Sequence, residues 1–375
     1  MTGETRAGAN PVATDMARLA AAWLGGLDDE QRAVGWWGGP GGKHEAERRR
    51  WFYTPTDHGG LPLNGQSDRQ QRQVLELVAS GLSPRGYDLV STVLGTENIL
   101  DRVEGFRSEF DTSRGRDPSR YYLRVFGDPE GHGPWGWRFG GHHVSLNFLI
   151  AAGQVRSTTP RFFGLDPAVT TFPGGARLDP LGEFQSAARE LVTSLPAEAR
   201  AVAVLHPRAP ADLVLGNRSS FTEGATMMPL PDLFRRRPGD DELQARMRAG
   251  GDARDREIGY GRQDHELVSV TATPKGISAA DLDRSQQECL DRLVRTYHDS
   301  LPDALVPSWE IEKLHFAWAG PTEVGAPNYY RIQGEGILIE WDNTARHGNH
   351  AHSVVRHLSN DFGADVLARH RRRWH

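Results

Sequence analysis

Two strand-like segments near the C-terminus constrain the fold and the chemistry of this chain more than any other feature. The first segment ends in Glu340 and Asp342, and the second opens with His350 and His352 after a short loop. Side chains two residues apart on a strand point to the same face, so each pair shares a face. If the segments close into an antiparallel hairpin, the carboxylates and imidazoles can face each other. Such a cluster predicts a transition-metal site.

A second pair of histidines lies within residues 135–150, which we predict to form one long strand. In a regular strand, His142 and His143 would point to opposite faces, so only one of them could bind a metal directly. A bulge at Gly140 and Gly141 would change this. The alternative interpretation of the pair is one core histidine and one surface histidine.

The composition limits the classes of function to consider. The chain has 375 residues, 38% of them hydrophobic, so it can bury a large core. Its net charge of −5 provides no basic field for nucleic acid. No apolar run approaches the roughly 18 residues of a membrane span. The single cysteine, Cys289, excludes an internal disulfide and an iron–sulfur site. With no secretory signal recognisable, a cytoplasmic location is expected by default.

The pattern of elements predicts a single α+β domain over residues 16–375, with an antiparallel β-sheet core and flanking helices. Residues 1–15 are rich in Gly, Thr and Ala and are expected to be disordered. Helix starts are predicted after Ser67 and Ser83, which precede apolar residues at helical spacing. Residues 209–256 are rich in charge, Pro and Gly, and we expect an irregular surface excursion or lid there.

Signatures of other catalytic classes are missing from the sequence. There is no phosphate-binding loop before a helix, no Gly-x-Ser-x-Gly elbow, and no strand-Gly-x-Gly-x-x-Gly-helix unit. Because the chain shows no obvious Ser or Cys nucleophile, a metal ion is the simplest source of chemistry.

Motifs spread over residues 51–370 resemble one family. They are Trp-Phe-Tyr-Thr-Pro at 51–55, Gly-Leu-Pro-Leu at 60–63, Gly-Leu-Ser-Pro-Arg-Gly-Tyr at 81–87, Trp-Arg-Phe-Gly-Gly-His-His-Val-Ser-Leu-Asn-Phe at 137–148, Phe-Gly-Leu-Asp-Pro at 163–167, Phe-Ala-Trp-Ala-Gly at 316–320, Asn-His-Ala-His at 349–352 and Asp-Phe-Gly at 361–363. Together they resemble the domain-of-unknown-function family 3500, DUF3500. The resemblance implies no reaction. It does imply that the Gly-His-His segment and the His-x-His hairpin occur together and form one candidate site.

The expected metal ligands are His350, His352 and one of His142 or His143. The expected metal is zinc, which would activate water for hydrolysis of a small molecule. The alternative is an iron or copper oxidoreductase, because two histidines and one carboxylate suit iron and O₂ equally well. A third alternative, of another class, is a non-catalytic metal- or ligand-binding protein.

Three further side chains are expected to act in catalysis. Glu340 or Asp342 would serve as a carboxylate ligand or as the general base. Arg356 would orient an anionic group of the substrate, because a guanidinium offers a bidentate fork. His347 lies in the loop between the strands and is not assigned a role. The sequence indicates neither a nucleic-acid partner nor a membrane partner, and it leaves the oligomeric state open.

Overall fold

The computed structural model describes residues 10–107, 116–235 and 240–368 of the chain. The α-helices in these ranges include α1 (Pro11–Gly25), α2 (Asp29–Gly35), α3 (Glu45–Arg48), α4 (Asp68–Ser80), α5 (Pro84–Val103), α6 (Gly182–Ser194), α7 (Ala197–Ala203), α8 (Asp241–Ile258), α9 (Arg262–Val268), α10 (Arg284–His298) and the short α11 (Ala345–Gly348). None of the helices in the described ranges has the length and apolar character needed to cross a membrane.

The strands are β1 (Trp36–Trp37), β2 (Leu61–Pro62), β3 (Tyr122–Phe126), β4 (Trp135–Gly141), β5 (Val144–Ala151), β6 (Gln154–Ser157), β7 (Arg161–Leu165), β8 (Thr170–Thr171), β9 (Arg177–Leu178), β10 (Val204–His206), β11 (Ile277–Ser278), β12 (His315–Ala319), β13 (Asn328–Gln333), β14 (Leu338–Thr344) and β15 (His350–Arg356). Most of them form one sheet, in the order β1-β3-β4-β5-β7-β15-β14-β13-β12-β10. Its pairs are antiparallel except β1 with β3 and β10 with β12. A mostly antiparallel sheet with helices in one domain confirms the predicted α+β class.

One face of the sheet packs against α6 through large aromatic side chains. Tyr330 stacks between Trp318 and Trp341, with ring centroids 6.2 and 6.0 Å away. Phe184 of α6 stacks on Trp341 at 6.1 Å. All four side chains are buried. Because a buried aromatic side chain removes a large apolar area from water, this face forms the main core.

The opposite face of the sheet is covered by a segment that follows β10, residues 211–233, which we call the covering segment. Val214 and Leu215 belong to a buried cluster that includes Tyr329 of β13. Side chains alternate along a strand, and Tyr329 pairs across the ladder with Asp342. The hydroxyl of Tyr329 donates to Glu340, so both carboxylates lie on this second face. Polar groups are therefore enclosed between the sheet and the covering segment.

The N-terminal prediction needs correction, because residues 10–15 belong to an ordered helix. α1 begins at Pro11, and the Asn10 side chain caps it by accepting from the backbone N–H of Val12 at 2.9 Å. Asparagine followed by proline is a helix start signal that the composition of the segment obscured. Residues 1–9, and the C-terminal residues 369–375 of the predicted domain, lie outside the described residues.

The prediction for residues 209–256 was also partly wrong. Most of residues 209–235 follow an irregular path, but Val214 and Leu215 are completely buried beneath the surface. α8 occupies most of the remainder, and residues 236–239 lie outside the described ranges. The pair Gly250-Gly251 suggested a break, but the helix-favouring Ala and Arg residues around it continue the helix.

His298, the last residue of α10, is buried although neither ring nitrogen has a hydrogen-bond partner among the described residues. Burial, followed by the charge of Arg161, lowers its pKa from 6.5 to about 3. Below pH 6.5 the unfolded chain therefore binds a proton that the folded chain cannot bind. The free energy of unfolding therefore decreases as the pH falls from 6.5 towards 3, and at pH 5 it is ~2 kcal/mol lower than at neutral pH.

We expect His298→Phe to remove this pH dependence, because phenylalanine can stay stacked on Trp309 and does not titrate. Urea unfolding at pH 7 and at pH 5 measures the free energy of unfolding at each pH. The decrease in this free energy from pH 7 to pH 5 should be ~2 kcal/mol smaller in the variant than in the wild type. His132→Phe, at an exposed position, is the control. An equal loss in wild type and His298→Phe would contradict the assignment.

Candidate metal centre

The predicted histidines meet at one end of four neighbouring strands, β5, β7, β15 and β14. The predicted pairing of β14 with β15 is confirmed, and its register places Asp342 opposite His352. β15 also pairs with β7, which places His352 opposite Gly164. β7 pairs in turn with β5, so the turn that precedes β5 lies beside the same end of the sheet.

Residues 135–150 form the β4–β5 hairpin rather than the predicted single strand, and His142 and His143 are its two turn residues. His143 has φ 65°, in the left-handed region that few non-glycine residues adopt. Its backbone N–H donates to the carbonyl of Tyr53 at 3.0 Å. The turn stacks the two imidazoles with centroids 3.7 Å apart. The prediction failed because His-His carries none of the usual signals of a two-residue turn.

The Nε2 atoms of three histidines converge. His143 Nε2 lies 2.9 Å from His350 Nε2 and 3.3 Å from His352 Nε2. Tetrahedral zinc, with bonds of about 2.0–2.1 Å, separates its ligand nitrogens by about 3.3 Å. The three rings are therefore spaced as ligands of a single ion, and small adjustments would close them around it.

Gly164 provides the space in which two of these rings approach each other. A Cβ at this position would lie 2.8 Å from Cδ2 of His143 and 3.0 Å from Cδ2 of His352. Its backbone N–H donates to the carbonyl of His143 at 2.8 Å. Any larger residue would push the imidazoles apart, so the glycine is required by the close approach of the two rings.

Carboxylates contact the other nitrogen of two of the rings. His352 Nδ1 lies 2.8 Å from Asp212 Oδ1 and 3.7 Å from Asp342 Oδ2. His350 Nδ1 lies 3.4 Å from Asp166 Oδ2. Metal-binding histidines commonly donate their second ring N–H to a carboxylate, which fixes the tautomer and the ring orientation.

The local electrostatics favour neutral rings at two of the three positions. Burial, followed by neighbouring imidazoles, lowers the pKa of His143 and of His350 well below 6.5. At His352 burial acts in the same direction, but the charge and hydrogen bond of Asp212 raise its pKa overall. Burial opposes ionisation of Asp212, yet His352, the Leu213 N–H and the Tyr53 hydroxyl lower its pKa. Asp212 is therefore ionised at neutral pH.

These contacts determine the tautomers. An ionised carboxylate only accepts hydrogen bonds, so His352 presents the Nδ1 proton to Asp212. Asp166, which accepts from Arg346 at 2.8 Å, lies 3.4 Å from the Nδ1 atom of His350 and places a carboxylate beside it. In the neutral rings, the Nε2 lone pairs then point at His143. One proton can bridge only one of these contacts, whereas a cation would satisfy all three nitrogens.

His142 does not join the three converging rings but lies beside them. Its Nδ1 is 2.7 Å from Glu97 Oε1 of α5. Burial raises the pKa of Glu97 to about 8. Glu97, His142 and His143 each offer a ligand atom within 4.8 Å of the others, so this pair adjoins the three-imidazole group. Of the two histidines predicted here, the structure brings His143 to His350 and His352.

The predicted carboxylates lie away from the converging nitrogens. Glu340 Oε1 accepts from the backbone N–H of Val214 at 2.9 Å and from the Tyr329 hydroxyl at 2.8 Å. Asp342 lies on the Nδ1 side of His352, and burial, followed by the charge of Asp212, raises its pKa to about 8. Neither carboxylate is positioned to ligate an ion held by the three Nε2 atoms.

Arg356 is also not positioned to contact a substrate, contrary to the prediction. Its guanidinium is buried, with Nε donating to Asp361 Oδ2 at 2.7 Å and the other nitrogens donating to the carbonyls of Gly216 and Arg218. A charge that is buried and paired in this way holds the covering segment on the sheet.

Sequence reasoning missed three acidic residues at the site, Asp212, Asp166 and Glu97. Asp166 lies in the Phe-Gly-Leu-Asp-Pro motif, which was noted only for its resemblance to the family. Asp212 lies in the irregular segment and Glu97 within α5, where no local pattern distinguishes them from surface carboxylates. Their roles follow from tertiary contacts alone.

Comparison with known proteins gives one match. A family model described as "Protein of unknown function (DUF3500)" matches residues 9–364. No curated protein and no solved structure matches the chain.

Proposed function

The chain belongs to the DUF3500 family, and we propose that it is a metal-dependent enzyme, a hydrolase acting on a small organic molecule. Its metal is zinc or another divalent transition metal, bound by Nε2 of His143, His350 and His352. The cytoplasm is the proposed compartment, because Cys289 is a buried free thiol that suits reducing conditions.

One observation carries the proposal: three Nε2 atoms converge, and carboxylates contact the Nδ1 atoms of two of the rings. Each element that positions these rings is well packed. His143 is 2% exposed and His352 is 8% exposed. Holding three imidazoles, two of them buried and one half-buried, with their nitrogens directed at each other is unfavourable without a bound proton or cation. Three histidines with a free fourth position are also the ligand set of a well-known class of catalytic zinc sites.

Three histidine ligands would leave a bound divalent metal a coordination position for water. The metal would lower the pKa of that water towards 7, which would supply hydroxide at neutral pH. Asp212 and Asp166 would keep His352 and His350 oriented, and Asp212 is itself held by the Tyr53 hydroxyl at 3.1 Å. Asp342 and Glu340 are no longer proposed as ligands or as the general base.

The alternative, an iron or copper oxidoreductase, is supported by the neighbouring group of Glu97, His142 and His143, which is a two-histidine, one-carboxylate set. A two-histidine, one-carboxylate iron site requires a carboxylate among the ligands. Within the described residues, the group that contains His143, His350 and His352 includes no carboxylate. Three imidazoles alone can still hold iron or copper, so the identity of the metal decides between oxidation and hydrolysis.

Metal analysis of protein purified without added metal or chelator tests the proposal. We expect about one equivalent of zinc per chain, because a site with three converging imidazoles should retain it through purification. Iron or copper with a visible-region absorption band would support the oxidoreductase instead. A metal-free protein that also fails to bind added zinc would contradict both.

A further inference from the structure

A cavity of about 660 Å³ lies beside Asp212, on the Nδ1 side of His352, and the three converging histidines are not among its lining residues. One wall is α8, and the other is the segment that runs from Ala211 to Leu233. Asp212, which accepts the hydrogen bond from His352, lines this cavity. The volume lies in the range of pockets that hold small organic molecules.

Most of the acidic groups on the cavity wall already have partners. Asp255 contacts His265 at 2.9 Å, and Glu266 accepts from Arg262 at 3.0 Å. Asp212 is engaged with His352. The remaining charged side chains, all on α8, are Arg248, Asp252 and Arg254, and they form no ion pair or hydrogen bond within the described part of the chain. These three carry one net positive charge.

Arg254 is an exposed guanidinium on the cavity wall, as is Arg248. Among the arginines whose charges act on His350, Arg116 and Arg346 are paired with Glu104, whereas Arg254 forms no ion pair within the described residues. Arg254 is therefore the cation of this set that we assign to the ligand.

The opposite wall is apolar and adaptable. Met227, Met228, Pro229, Leu230 and Leu233 line it. Methionine side chains are flexible and polarisable, and they accommodate apolar groups of different shapes. The cavity therefore offers unpaired cations on its α8 wall and an apolar surface on the opposite wall.

We propose that this cavity is the substrate site and that its substrate is an organic anion with an apolar body, whose carboxylate or phosphate pairs with Arg254. The inference rests on the proposed function, because the cavity is joined to the proposed metal ligands through Asp212, which accepts from His352. A guanidinium pairs with either anion through two parallel hydrogen bonds. The apolar body contacts the methionine-lined wall.

Calorimetric titration of the full chain tests this inference with three probes of similar shape: benzoate, phenyl phosphate and the neutral benzamide. Each probe is titrated into zinc-loaded and metal-free protein. We expect one or both anions to bind at least about 10-fold more tightly than benzamide, in both forms of the protein. Which anion binds more tightly distinguishes a carboxylate substrate from a phosphate substrate.

Three variants test whether the anion pairs with Arg254. Arg254→Ala should weaken anion binding about 10-fold or more, and Arg254→Lys should restore part of it. Arg256→Ala is the matched control, since Arg256 is exposed on the same helix but does not line the cavity. Equal effects of Arg254→Ala and Arg256→Ala, or binding of benzamide as tight as that of the anions, would overturn the proposal.

Measuring the metal content of each sample shows whether a failed result contradicts this inference or the proposed function. If zinc is bound but neither anion binds, the cavity assignment fails alone. If no metal binds but the anions still bind through Arg254, the proposed function fails and the anion site stands. If the anions bind only to zinc-loaded protein and Arg254→Ala has no effect, they ligate the metal directly and the inference is wrong.

Discussion

Replacing His350 with alanine is expected to weaken zinc binding by about 10²–10³-fold. A structural zinc site contributes roughly 10–16 kcal/mol of binding free energy through four ligands, or about 3–4 kcal/mol per ligand. His350 is half-buried at the start of β15, so its truncation should leave the folded protein intact. Competition with a chromophoric chelator at fixed pH measures the affinity, and circular dichroism confirms that the variant is folded.

His347→Ala is the matched control for this experiment. His347 lies three residues away in the loop between β14 and β15, it is exposed, and it belongs to none of the candidate ligand groups in the described chain. Its replacement should leave zinc affinity within about twofold of the wild type. Equal affinity of His350→Ala and wild type would show that zinc, if bound, is not held at this site.

Glu340→Ala should destabilise the protein by about 3–5 kcal/mol without changing its affinity for zinc. The Glu340 carboxylate is completely buried and accepts from the backbone N–H groups of Val214 and Leu215 and from the Tyr329 hydroxyl. Removing the acceptor leaves three buried donors unsatisfied, each at a cost of about 1–3 kcal/mol. Urea denaturation measures the loss, and chelator competition measures the zinc affinity.

Glu340→Gln keeps the experiment informative if the alanine variant does not fold. The amide oxygen can still accept from Val214 and Tyr329, so we expect a smaller loss of about 1–2 kcal/mol with zinc affinity unchanged. If either folded variant lost zinc binding while keeping wild-type stability, Glu340 would be a metal ligand, as the sequence suggested, rather than a structural carboxylate.

Local signals in the sequence were sufficient to predict several elements of the fold. The side chains of Ser67 and Ser83 accept from backbone N–H groups at the starts of α4 and α5, as predicted. The β14–β15 pairing followed from two strand-like segments joined by a short loop, with side chains two residues apart on the same face. These predictions succeeded because caps and alternation depend on neighbours in the sequence.

The histidine turn could not be predicted in this way. The φ of 65° at His143 is maintained by contacts of its backbone with Tyr53 and Gly164, which are distant in sequence. A chain that shows two apolar segments around His-His is compatible with one strand or with a hairpin. Tertiary hydrogen bonds select the hairpin, and the hairpin moves both imidazoles to one side.

The roles of the carboxylates also could not be predicted from the sequence. Glu340 and Asp342 are closest to the histidines along the chain, and proximity in sequence suggested that they are ligands. The covering segment instead occupies Glu340 with its backbone, and it brings Asp212 to His352 from 140 residues away. Burial and partner choice therefore decide which carboxylate supports the site.

The most direct test of the metal centre is anomalous diffraction at the zinc edge from crystals of the zinc-loaded protein. We predict one strong peak about 2.0–2.1 Å from Nε2 of each of His143, His350 and His352, with a non-protein ligand in the fourth position. A peak between Glu97 and His142, a peak on the Nδ1 side of His352 beside Asp212 and Asp342, or no ordered zinc would contradict it.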